Sequence, residues 1–114
     1  MSNLLKSMPE TLTNKQRYLL TMSNRAQKMS DCEEQIVEIA AWALYEDQDS
    51  KTGEMKEILS ILTADGDVLA TISPTFKKDF LNMVEAFGDE LQKIRIVAGN
   101  SKNGRKYITC EYAE

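Results

Sequence analysis

Between Ser73 and Gly88 the chain carries a helix marked at both ends, and this orders everything around it. A serine accepts bonds from the free N–H groups of a helix start, and a proline fits the first helical position, where its missing N–H leaves nothing unpaired. Ser73-Pro74 supplies both. Phe76, Phe80, Val84 and Phe87 then follow at spacings of four, four and three, which puts them on one helical face. Gly88 supplies the stop. Such an aromatic stripe marks a core face, and it is expected to plug one end of whatever the flanking segments build.

Those flanking segments read as hairpins. Residues 55–63 and 67–73 alternate around Asp65-Gly66, a strong turn signal. Residues 92–98 and 105–112 form a second pair. Ile94 and Ile96 share one face with Lys93 and Arg95 opposite, and Ile108 and Cys110 share one face with Arg105, Tyr107 and Thr109 opposite. Parity groups Tyr112 with Ile108, in the core. Residues 35–46 are ambiguous. Ser30 with Glu33 would make a capping box and the alanines favour helix, yet Val37, Ile39, Ala41, Ala43 and Tyr45 alternate as in a strand. The parity that exposes Glu38 would also place Trp42 on an outer face. Taken as a strand, the segment completes a mainly β order with the helix between strands three and four. This is the order of a five-stranded Greek-key barrel, the OB-fold.

Upstream the signals thin out. Residues 1–12, interrupted at Pro9, read as a mobile arm, and residues 13–30 are polar and basic around Tyr18, Leu19, Leu20 and Met22. The expected division is a basic N-terminal extension over 1–30 and an OB-like domain over 31–114. Charge follows this division. The net value is −4, yet residues 1–30 carry +4, residues 31–91 carry −11 and residues 92–114 carry +3. An acidic total is compatible with a polyanionic partner, because local field steers binding.

Several functions are disfavoured. There is no histidine, so the commonest general base is missing and neither Cys32 nor Cys110 has an imidazole to activate it. Two cysteines are too few for structural zinc, and a disulfide between them is disfavoured in a reducing compartment. Gly99 and Gly104 have P-loop spacing, but the Lys-Ser/Thr signature and the following helix are lacking. Asp47-Gln48-Asp49 fails as a calcium loop, because Ile58 stands where the bidentate glutamate belongs. No apolar run is long enough to span a membrane, and residues 1–10 lack the apolar core of a signal peptide. The expectation is a non-enzymatic cytoplasmic protein with no cofactor and no metal.

A single-strand binder needs cations along a groove and aromatic faces for the bases. The candidates for phosphate are Lys15, Arg17, Arg25, Lys28, Lys93, Arg95, Lys102, Arg105 and Lys106; those for stacking are Tyr107, Tyr18 and Trp42. One run of residues carries a family likeness: Thr52-Gly53-Glu54, Ile61-Leu62-Thr63-Ala64-Asp65-Gly66-Asp67-Val68, Ser73, Phe87-Gly88, Lys93-Ile94-Arg95-Ile96 and Asn103-Gly104-Arg105-Lys106. Over about residues 36–112 the chain resembles the single-stranded DNA-binding proteins of bacteriophages that infect Gram-positive bacteria. That resemblance implies an OB barrel that coats single strands during phage replication or recombination, with the basic hairpin from Lys93 to Lys106 facing DNA. The acidic segment from Asp31 to Asp49 and the alanine-rich Ile39 to Leu44 depart from the pattern and leave the first strand and the groove open. The alternative reading is an acidic protein–protein module, a DNA mimic or a binder of a basic host factor; under the first reading the acidic centre would serve to contact replication or recombination proteins. Assembly into a homo-oligomer is compatible with either.

Overall fold

The computed structural model describes residues 3–22, 26–48, 50–100 and 102–113. Among these are seven strands and two helices: β1 (Asn3–Met8), α1 (Asn14–Thr21), β2 (Gln27–Lys28), β3 (Ile36–Gln48), β4 (Met55–Thr63), β5 (Val68–Thr71), α2 (Pro74–Phe87), β6 (Lys93–Asn100) and β7 (Lys106–Tyr112). The sheet runs β2-β5-β4-β3-β6-β7, with β1 also paired to β3. It curls into an OB-like half-barrel.

The ambiguous segment is a strand, and its apolar content has a cause that local propensity does not show. Over residues 41–45, β3 is buried on both faces. Trp42 and Leu44 enter the barrel core with Leu59, Ile61, Phe76, Phe80, Ile94 and Ile96. Ala41, Ala43 and Tyr45 face the other way, into a second cluster with Leu20, Leu62 and Val68. The small alanines leave room for α1 to lie against the sheet. A strand covered on both sides reads as a continuous apolar run rather than as alternation.

A β-bulge sets which residues point where. The β3–β4 register slips between Ile39 and Ala41. On the near side of the slip, residues 36–38 pair with β6; on the far side, residues 42–46 pair with β1. One extra residue reverses the parity of everything after it. The exposed Glu38 therefore does not predict Trp42. Trp42 is only 3 % exposed and meets Phe80 edge to face at 5.3 Å between ring centroids. The outward Trp42 expected from simple alternation is thus corrected.

The mobile arm is corrected as well. β1 is hydrogen-bonded to β3 from Asn3↔Glu46 to Met8↔Trp42. α1 is closed by a reciprocal capping box, in which the Gln16 N–H donates to Thr13 Oγ1 at 3.1 Å and the Thr13 N–H donates to Gln16 Oε1 at 3.0 Å. Leu20 pins the helix into the second cluster. Met29, fully buried, anchors the 3-10 turn Met29–Asp31, where the alternative capping box at Ser30 would have begun a helix.

At the other side of the core, α2 starts and ends where its sequence signals place it. Ser73 Oγ accepts from the Phe76 N–H at 3.3 Å, and Gly88 adopts a positive φ of 57°. Phe76, Phe80 and Val84 are buried. The helix packs along β7, where the Thr109 hydroxyl donates to Asp79. Tyr112 does not reach the core that its parity predicted. It is 45 % exposed and stacks on Phe87 at 4.4 Å, because it lies at the barrel rim where the helix end covers only one face of the ring.

Both thiols are free and buried. Burial, aided by the nearby Asp79, pushes Cys110 up to about 12, and burial with Asp31 and Asp67 nearby raises Cys32. Thiolate is the reactive form. Native protein at pH 8 is therefore expected to resist iodoacetamide at both cysteines, with alkylation in mass spectra appearing only as urea unfolds the chain. Leu20→Ala is expected to lower stability by about 2–4 kcal/mol in urea unfolding, as for other core leucine truncations. An unchanged midpoint would show that α1 is not part of the core.

Candidate nucleic-acid interface

The candidate groove begins at the edge of the sheet beside β5. β2 lies parallel to it, with Gln27↔Leu69 and Lys28↔Ala70. This holds Lys28 and Ser30 beside Thr71 and Ile72. On the far side, the Ser73 hydroxyl donates to the Ile108 carbonyl at 3.5 Å and ties the end of β5 to β7. Tyr107 and Lys106 are the neighbours of Ile108 in sequence, so the tie brings them to the same place.

Two cavities open along this line. One, of about 460 Å³, has Lys28, Tyr45, Ile58 and Ala70 in its walls. The other, of about 410 Å³, is bordered by Pro74, Thr75, Lys106 and Tyr107. Ser30, Thr71 and Ile72 line both, so the two form one groove divided by a ridge. Its walls are mainly apolar, with a lysine towards each end. Both volumes lie in the range of about 300–1,000 Å³ typical of ligand sites. Burial also raises the Tyr45 hydroxyl, with Ser60 opposing that shift and Asp47 adding to it.

Tyr107 is held in place from the opposite strand. It pairs with Gly99 across the β6–β7 ladder. A Cβ added at Gly99 would stand 2.6 Å from Cζ of the Tyr107 ring. The ring therefore occupies the space that any other side chain would need, an arrangement in which an aromatic covers a strand glycine. It remains 41 % exposed.

The other sequence-derived candidates are spread more widely. Lys106 is in the groove but ion-paired with Glu33. Lys102 and Arg105 are exposed in the turn just ahead of β7. Lys93 and Arg95 share the outward face of β6 with Gly99, as alternation required. Arg95 sits opposite Glu111, four residues from Gly99, or about 13 Å along the strand. Lys15, Arg17 and Tyr18 are exposed on α1, Tyr18 at 57 %. Trp42 is in the core. Arg25 lies outside the described residues. The groove thus gathers Lys28, Lys106 and Tyr107, and leaves the remaining cations as flanks.

Sequence reasoning missed Tyr45, Ser30, Thr71 and Ile72. A signal for Ile72 was present. An apolar residue just ahead of a helix cap usually packs on an apolar residue four positions into the helix, and here that position is Lys77. Ile72 has no staple partner and stands 57 % exposed.

No metal-binding group of His, Cys, Asp and Glu occurs among the described residues, and none of the described helices is long and apolar enough to cross a membrane. No solved structure matches the chain. The single-stranded DNA-binding protein of Bacillus phage B103 is 29 % identical over 79 residues, an alignment covering 65 % of this chain and 65 % of that protein. A family model described as Phage Single-stranded DNA-binding protein matches residues 7–112, nearly the whole chain. A curled OB-like sheet, an apolar groove with lysines at its ends and a tyrosine parked on a glycine are thus found in a chain that belongs to the phage single-stranded DNA-binding protein family.

Proposed function

We propose that this protein coats single-stranded DNA, with little dependence on sequence, during phage DNA replication or recombination in the host cytoplasm, and that it acts by binding without catalysis. The observation that carries the reading is the divided groove from Lys28 to Tyr107. Its apolar walls suit base faces, which every base presents, and so favour binding over sequence readout. Its lysines, flanked by Lys102, Arg105, Lys93 and Arg95, suit a phosphate backbone. Lys15, Arg17 and Tyr18 would extend the contact from the α1 side, Arg25 is a further phosphate candidate by residue type alone, and Tyr107 is the principal stacking platform.

A duplex keeps its base faces buried in its own stack and offers the groove only phosphates. Anisotropy titrations with labelled oligo-dT and an equal-length duplex are therefore expected to show tighter binding to the single strand. Equal affinity for both would refute the reading. Each phosphate contact contributes about −0.7 to the slope of log K against log salt for single strands. Lys28→Ala should reduce that slope by about this amount.

Tyr107→Ala is expected to weaken oligo-dT binding by about 5- to 150-fold, the usual worth of one stacked base. Gly99→Ala should have a similar effect at unchanged fold, because its methyl group evicts the ring. A Gly99→Ala variant with wild-type affinity would show that the ring position is irrelevant to binding.

The acidic centre, residues 31–91, supports a second and compatible role as a docking surface for replication or recombination proteins. Charge reversal within Asp31 to Asp49 should abolish such docking while leaving or improving DNA binding, measured by pull-down and anisotropy on the same variants.

A further inference from the structure

We propose that Ile72 is a wedge that enters the bound strand between two successive bases and seats one base in each of the two cavities it separates. The inference rests on the single-strand reading above.

Three observations converge on this side chain. With Ser30 and Thr71 it lines both cavities, and it is the one large apolar side chain of the three, so it forms the apolar part of the ridge between them. It is a large apolar residue left 57 % exposed, as Ile36 is on β3, whereas Ile61, Ile94, Ile96 and Ile108 are buried; unlike Ile36, it stands where two mainly apolar cavities meet. Neither helix capping nor core packing uses it, because Lys77 stands where its staple partner would be. An exposed apolar ridge gains from contact with another apolar face, and the faces of two unstacked bases supply one on each side.

The ridge is rigid as well as apolar. Ile72 lies between β5, which is paired on both sides by β4 and β2, and the Ser73 cap of α2. β-Branching restricts its own rotation. Each flanking cavity has the means to hold a base. On one side are the Tyr45 ring, Ile58 and the Lys28 ammonium; on the other are the Tyr107 ring and Lys106. The spacing is imposed by the protein, so the strand must give up its stacking at this step. An intact duplex can open a step in this way only by kinking, at a cost that a flexible single strand largely avoids, and the wedge therefore adds discrimination to simple charge attraction.

The test uses oligo-dT carrying one adjacent 2-aminopurine–adenine step, whose fluorescence is quenched while the two bases stack. Binding is followed separately by anisotropy on the full-length protein. At saturating protein the wild type should raise the fluorescence several-fold. Ile72→Ala should bind about 5- to 20-fold more weakly, as expected for loss of one buried aliphatic contact, and should lose the fluorescence rise even when saturated. Ile72→Leu, which keeps bulk at the ridge, should retain most of the rise. Ile72→Ser serves as a second truncation, and thermal melts of all variants verify that they fold. Wild-type binding without a rise, or an equal rise with Ile72→Ala, would overturn the wedge while leaving the binding function standing. Failure of the wild type to bind the oligonucleotide at all would overturn the single-strand reading itself.

Discussion

Every layer of this structure is organised by one strand that has no solvent side over its central residues 41–45. β3 is covered on one face by the barrel core and on the other by the cluster beneath α1. It is paired along one edge by β4, and along the other first by β6 and then by β1. Such a strand has no weak direction, so its register is strongly specified. The bulge between Ile39 and Ala41 lies where the partner on the second edge changes. It lets the chain leave one partner for another while keeping apolar residues on both faces. The groove depends on this strand at one remove, since β5 hangs on β4 and β2 hangs on β5.

The elements that depend on local chemistry were legible in the sequence. Asp65-Gly66 turns the β4–β5 hairpin, and Ser73-Pro74 and Gly88 bound α2. Ile94, Ile96, Ile108 and Cys110 face inward as their alternation implied. What was not legible depended on pairing at a distance. Nothing in residues 1–12 states that they will find the edge of β3 vacated by β6. The bulge is also silent in sequence, and it alone turned an expected outer Trp42 into a core residue. α1 is a different kind of miss, because Thr13 and Gln16 carry a capping-box signature that the basic character of the segment obscured.

The site was half legible for a related reason. Tyr107 and Lys106 stand out by residue type and by position in a basic hairpin. Tyr45 and Ile58 belong to an outer sheet face that could be known only once the bulge had set the parity. Ile72 is an aliphatic residue among many, and only its exposure at the meeting of the two cavities distinguishes it. A charge census favours lysines and arginines, whereas the walls of this groove are mainly apolar. Cations define its ends and flanks, and the carbon surface defines its shape.

The ion pair between Lys106 and Glu33 has a thermodynamic consequence for the groove. In the proposed complex with DNA, Lys106 would arrive with a counterion already supplied by the protein. A phosphate that takes its place frees a carboxylate rather than a salt ion, and that carboxylate then gathers a cation of its own from solution. Lys106 therefore contributes less to the salt dependence of binding than an unpaired lysine would. It acts instead as an exchange point, where the polymer must outbid an internal anion and only a well-positioned phosphate gains the contact.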